Sequence, residues 1–186
     1  MSNKELSDEK IAESIQTGNM DDFAELVLRY EAKMLRYARK FLFSSHDAQD
    51  LVQDVFIKAY VNIQSFDISK KFSSWIYRIA HNEFINAIKK KSRMPLNFFD
   101  PDVIFPHPVA KENPERDSDR REIAEMIEKS LSNINIKYRE PLILYYLEEL
   151  SYKEISDIMR VPTATVGVRL RRGKELVKKQ CQKLGY

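Results

Sequence analysis

The chain has 186 residues, a length that suits one domain or two small ones. Apolar residues make up 43% of it and glycine occurs only 4 times, so compact helical cores are favoured over sheet. Net charge is a mild +3, and the single cysteine, Cys181, excludes an intramolecular disulfide or a cysteine-based zinc site. The N-terminus is polar and acidic rather than a signal peptide, and no apolar run is long enough to span a bilayer. The expected compartment is the cytoplasm, with no direct membrane insertion.

Residues 21–92 read as helix with two breaks. Phe23, Leu26, Val27 and Tyr30 open an amphipathic pattern that Met34, Leu35, Ala38 and Phe41 continue. Ser44 and Ser45 interrupt it, and DAQDLVQDVFIKAYVNI follows. On a helical wheel Leu51, Val52, Val55, Phe56, Ala59, Tyr60 and Ile63 take one half. Asp47, Asp50 and Asp54 fall within about 60° of one another on the other half, with Lys58 beside them. Such a face has three readings: a solvated surface, a docking face for a basic partner, or carboxylate ligands for magnesium. One helix supplies too few converging ligands for the metal, and no glycine-rich phosphate loop accompanies it.

After a break from Ser65 to Lys71, a third pattern runs through Trp75, Ile76, Ile79, Ala80, Phe84, Ile85 and Ile88. Phe66, Phe72, Trp75, Tyr77 and Phe84 crowd into the same stretch as a basic cluster, Arg78, Lys89, Lys90, Lys91 and Arg93. Aromatic faces that stack on bases, beside cations that track a backbone, are how single-stranded nucleic acid is held. The alternative is that Trp75, Ile76, Ile79 and Phe84 are simply core; Ile76 and Ile79 are read as core, and an indole at Trp75 can serve both. The loop with Ser65, Asp67, Ser69, Lys70 and Lys71 could form a pocket for an extruded base, and the Asn82 amide could read a base edge. His46, His81 and His107 lack catalytic neighbours, and no side chain has the surroundings of an activated nucleophile.

From Ser92 to Asp119 the pattern dissolves around Pro95, Pro101, Pro106, Pro108 and Pro114, which marks a linker. Pro141 then falls within IKYREPLILYY, where it is expected to start a helix. Ser151 and Glu154 have capping-box spacing, and Ile155, Ile158 and Met159 form an apolar face. Arg160-Val161-Pro162 stops that helix, and another starts near Thr163 with Val166 and Leu170 inward and Arg169, Arg171, Arg172 and Lys174 mostly outward. A short helix, a brief turn and a cationic second helix make a helix-turn-helix, whose second helix fits the DNA major groove.

DAQDLVQDVFIKAY, FSSWIYRIAHNEFINAIKKK and LSYKEISDIM-VPTATV-VRLRRGKEL, in this order and with the linker between, resemble a bacterial RNA polymerase sigma factor of the extracytoplasmic-function group. The resemblance spans about residues 10–180. It implies an all-α chain: residues 1–92 bind polymerase and melt the −10 element, 93–119 form the proline-rich linker, and 120–186 bind the −35 element. Asp47, Asp50, Gln53, Asp54 and Lys58 match the family's polymerase-binding helix. The loop from Ser65 to Lys71 matches the one that captures a flipped −10 base, and Asn82 matches a −10 recognition position. Ser65, Phe66, Asp67, Lys70, Lys71, Phe72, Trp75, Arg78 and Asn82 are thus the expected −10 contacts. Arg169 and Arg172 match recognition-helix positions; with Thr163, Thr165, Arg171 and Lys174 they make the expected −35 set. The family commonly has a basic residue at Gly167 and a small polar one at Val168. Arg160 stands where glycine or asparagine would be easier if the turn needs a positive φ.

The implied partners are core RNA polymerase and promoter DNA, with an anti-sigma protein, membrane-bound or soluble, as a third. No cofactor, metal or catalytic residue is implied. The competing readings are a free-standing helix-turn-helix regulator, which would dimerise on a palindrome, and a magnesium-dependent enzyme using Asp47, Asp50 and Asp54.

Overall fold

The computed structural model describes residues 6–42, 45–92 and 117–183, and these contain helices and turns with no strand. The proline-rich stretch read as a linker lies, apart from its ends, outside the described residues. The chain divides into two compact units, the first built on four α-helices and the second chiefly on four more.

The first unit opens with α1 (Asp8–Gln16), an element that the sequence reading did not pick out. Ser7 caps it by accepting the Lys10 amide at 3.3 Å, and Asp8 and Glu9 in its first turn suit the positive end of the helix dipole. Ile11, Ala12 and Ile15 are buried on one face. A 3-10 turn at Met20–Asp22 leads into α2 (Phe23–Leu42). There follow α3 (Ser45–Asn62), a second 3-10 turn (Ile63–Ser65) and α4 (Phe72–Ser92). Helix α2 packs along α3, α3 along α4, and α1 touches both α2 and α4. Leu26, Met34 and Phe41 of α2 meet a core completed by Val55 and Ala59 of α3 and Ile76, Ala80 and Phe84 of α4.

Two aromatic clusters fill parts of this core. Tyr37 lies 5.0 Å from Phe84 and 5.5 Å from Tyr77, ring centre to ring centre, at the far end of the bundle. Phe72 lies 5.4 Å from Phe66 and 5.5 Å from Trp75, beneath the 66–71 loop. Helix α1 is tied to α2 by Arg29, whose guanidinium meets Asp8 at 2.7 Å and Glu25 at 2.9 Å. The Tyr30 hydroxyl donates to Asp8 at 2.6 Å, and burial together with that carboxylate drives the phenol well above its ordinary pKa.

The second unit contains α5 (Asp117–Ser132), α6 (Ile136–Tyr146), the start of α7 (Tyr152–Met159) as far as Ser156, and α8 (Thr163–Lys183), with α8 packed against α6 and α5. Pro141 does not start α6, as expected from sequence, but lies inside it. The start signal is Asn135, whose side chain accepts the Lys137 amide at 3.1 Å. Beside the buried proline, Arg139 and Glu140 are buried too; burial holds the Arg139 guanidinium down at about 10, against the pull of the Glu140 charge.

Candidate nucleic-acid interface

Three surfaces carry the residues singled out from sequence. The first is the outer face of α3. Asp50, Gln53 and Asp54 are exposed there and Asp47 is half-buried. Val52, Val55, Phe56, Ala59 and Ile63 are buried on the opposite side, as the wheel expected. Tyr60 departs from it: 43% of the residue is exposed, although its ring meets Phe23 edge-on at 5.1 Å. Lys58 also departs, since its ammonium is drawn to Glu83 of α4 at 2.6 Å rather than standing free beside the aspartates. Sequence reasoning missed Ile57 and Val61, which are 60% and 70% exposed. The spacing was readable: Asp50, Asp54, Ile57 and Val61 follow at +4, +3 and +4, a single helical stripe. Half acidic and half apolar, that stripe can present charge complementarity and an anchor to a partner.

The second surface is a cleft of about 260 Å³ lined by Lys58, Asn62, Ser65, Trp75, Ile79, Asn82 and Glu83. The 3-10 turn thus brings Ser65 beside Trp75 and Asn82 of α4, with Lys58 and Asn62 of α3 completing the wall. Trp75 is 9% exposed: one part of the indole lines the cleft while the rest packs on Phe66 at 5.3 Å. Phe66 and Phe72 require correction as DNA contacts. At 4% and 0% exposure they cannot offer a ring face to a base; their rings pack edge-on against each other at 5.4 Å. Asp67 is exposed on the loop, where its carboxylate accepts the Ser69 hydroxyl at 2.7 Å and the Ser69 amide at 3.0 Å. Those bonds hold the Asp67 carboxyl below its usual range. Lys70 and Lys71 are exposed on the loop, and Arg78 is half-buried on α4.

The third surface is the helix-turn-helix of α7 and α8. The capping box is formed: the Ser151 amide donates to Glu154 Oε2 at 2.9 Å, and the Glu154 amide to Ser151 Oγ at 3.3 Å. Between the helices Arg160 has φ 52°, the left-handed conformation that favours glycine. The Ser156 hydroxyl donates to the Val161 carbonyl at 2.6 Å and closes the turn. Arg160→Gly should therefore raise stability by up to about 1 kcal/mol, the relieved strain being partly offset by glycine's unfolded-state entropy. The midpoint of urea unfolding should rise with the slope unchanged.

Along α8, Val166, Leu170 and Gly173 are buried. Thr165, Arg169 and Arg172 share one outward stripe at i, i+4 and i+7. Thr163, Arg171 and Lys174 are exposed but lie off that stripe, so the six expected contacts do not form one face. The Arg172 guanidinium beside Tyr138 holds that phenol below its ordinary value. At Gly167, a Cβ would sit 3.6 Å from Cε2 of Tyr152, an ordinary contact.

An all-helical unit with a part acidic, part apolar stripe and an aromatic-amide cleft, followed by a second unit ending in a helix-turn-helix, is the build of a promoter-directing initiation factor. Residues 26–94 match the family model described as Sigma-70 region 2, and residues 124–177 match Sigma-70, region 4. The chain is 35% identical to the ECF RNA polymerase sigma factor SigW of Bacillus subtilis, across 97% of this chain and 100% of that one. It is 33% identical to the RNA polymerase sigma-H factor of Pseudomonas aeruginosa, across 95% of each. The fold matches that of CnrH, solved in complex with the cytosolic domain of CnrY, with a TM-score of 0.71 at 22% identity over 95% of this chain and 97% of that one. It likewise matches the sigma factor RpoE of Bartonella quintana, solved with the anti-sigma factor NepR, with a TM-score of 0.67 at 24% identity over 87% and 97%. The chain belongs to the extracytoplasmic-function family of RNA polymerase sigma factors. It is a transcription initiation factor and not a free-standing helix-turn-helix regulator. No described helix is long and apolar enough to cross a membrane.

Proposed function

We propose a division of labour among the three surfaces. The α3 stripe, with Asp47, Asp50, Gln53 and Asp54 and now Ile57 and Val61, docks on core polymerase. Helix α8 engages the −35 duplex, with Arg169 and Arg172 on base edges or phosphates and Thr163, Thr165, Arg171 and Lys174 around them. The α3–α4 cleft and the 65–71 loop hold unstacked −10 bases, using Ser65, Trp75 and Asn82 in the cleft and Lys70, Lys71 and Arg78 along the backbone. Residues 1–92 and 120–186 are the two functional halves, and 93–119 link them. The protein works in the cytoplasm and makes or breaks no covalent bond; catalysis belongs to the polymerase. An anti-sigma protein is a further partner, supported by the partners of CnrH and RpoE in their solved complexes.

The observation that carries the −10 assignment is the cleft, where an indole and an amide of α4 meet a hydroxyl from the 3-10 turn after α3. Extruding a base costs a few kcal/mol, and stacking returns about 1–3 kcal/mol. The balance is near zero for one or two bases, so docking on polymerase must supply the remainder. Purified chain added to core polymerase should confer start-site selection on a genomic fragment library in run-off transcription, while alone it should bind promoter DNA weakly. Tight promoter-specific binding without polymerase would count against the scheme.

Arg172→Ala should weaken −35-dependent transcription by on the order of 1–3 kcal/mol, the worth of a bidentate base contact. Transcription from promoters with and without a −35 element separates that loss from a general one. Equal dependence on the element in wild type and variant would remove Arg172 from the readout.

A further inference from the structure

Helix α1 belongs to none of the three surfaces, yet it holds both ends of the loop assigned to the −10 bases. Gln16, its last residue, donates from Nε2 to the Ile63 carbonyl at 2.7 Å and to the Phe66 carbonyl at 2.8 Å. A primary amide carries two hydrogens on that nitrogen, and two partners use both. Gln64 returns a bond, its Nε2 donating to the Gln16 carbonyl at 3.3 Å. At the other end of the loop, the Phe72 amide donates to Glu9 Oε1 at 3.0 Å. Phe72 is the first residue of α4, so Glu9 satisfies one of the amides that a helix start leaves without an intrahelical partner. The α1 helix is itself held in place by Asp8 on Arg29 and Tyr30.

Residues 67–71 between these anchors are exposed. The loop is therefore a short exposed span whose two ends are bound to a single helix. Fixing both ends removes conformations that the loop would otherwise have to lose on taking up a base.

We infer that α1 is a clamp that pre-positions the base-holding loop, with Gln16 and Glu9 as positioning residues for −10 selectivity. The inference rests on the reading of the cleft and loop as the −10 surface. Holoenzyme reconstituted from the full chain and core polymerase would be offered a single-stranded DNA pool randomised over six positions, and the bound fraction sequenced. Gln16→Ala should flatten base enrichment at the most selective position by about tenfold, the effect of losing two hydrogen bonds. Glu9→Ala should act in the same direction, and Glu9→Gln should restore selectivity because its amide oxygen still accepts. Co-purification with core polymerase should be unchanged in all three. Asn82→Ala serves as the control on the −10 reading. If Asn82→Ala flattens the enrichment while Gln16→Ala and Glu9→Ala leave its pattern intact, even with less DNA bound, the clamp is wrong. If Asn82→Ala also leaves the pattern intact, the −10 assignment falls and the clamp with it. Should Gln16→Ala not fold, the Glu9→Ala and Glu9→Gln pair decides the question alone.

Discussion

Replacing Asp50 and Asp54 with arginine should abolish co-purification of core polymerase with the chain while leaving its helix content intact. Both carboxylates are exposed on α3, so no buried partner is lost. Arginine is also a better helix former than aspartate, so α3 itself is not weakened. The pair changes charge by +4, from two negative groups to two positive ones. Close charge pairs across an interface are coupled by about 1.5–7 kcal/mol, and reversal turns that attraction into repulsion. The apolar half of the stripe permits a separate measurement. Ile57→Ser with Val61→Ser should weaken co-purification without altering its salt dependence, whereas loss of the charges should reduce that dependence. Normal recovery of polymerase with the doubly reversed chain would end the docking assignment.

Two glycines on the same helix should respond to alanine with opposite sign. A Cβ at Gly173 would lie 2.9 Å from the Tyr138 carbonyl oxygen and 3.0 Å from Cδ1 of Leu142. The first is backbone, so α8 and α6 would have to separate. Overpacking of this kind costs about 1–3 kcal/mol, which outweighs the helix propensity that alanine adds, about 1 kcal/mol at most. At Gly167 an added Cβ would meet, among the described residues beyond its own helix backbone, the Tyr152 ring at van der Waals distance. Gly167→Ala should stabilise by about 0.5–1 kcal/mol. Amide exchange read over α6 and α8 should show protection lost in Gly173→Ala and gained in Gly167→Ala. Equal shifts in the two variants would mean that the close approach at Gly173 does not constrain the packing.

Much of the helical organisation was legible because its signals are local. The Ser151–Glu154 capping box, the stop at Arg160-Val161-Pro162 and the inward positions Val166 and Leu170 depend on neighbours within a few residues. The positive φ at Arg160 was anticipated in the same way, from a residue type standing where a turn is needed. Pro141 was misread because proline is a strong local mark while Asn135, the true start, is an inconspicuous one. Helix α1 escaped notice since Ile11, Ala12 and Ile15 make too short an apolar pattern to stand out from polar surroundings.

The three surfaces divide along the same line. Sequence alone determined the acidic face of α3 and the arginine stripe of α8, because a helix converts spacing directly into a face. Tertiary structure decided which aromatics are available. Phe66, Phe72 and Trp75 are equivalent in the sequence, but tertiary packing, with Tyr30 of α2 against Phe72, sinks the two phenylalanines and leaves the indole at the cleft wall. It also decided that Lys58 turns to Glu83, that Arg172 comes beside Tyr138, and that Gln16 reaches carbonyls 47 and 50 residues away. Such pairings depend on which elements meet in space, and helical periodicity carries no information about partners so distant along the chain.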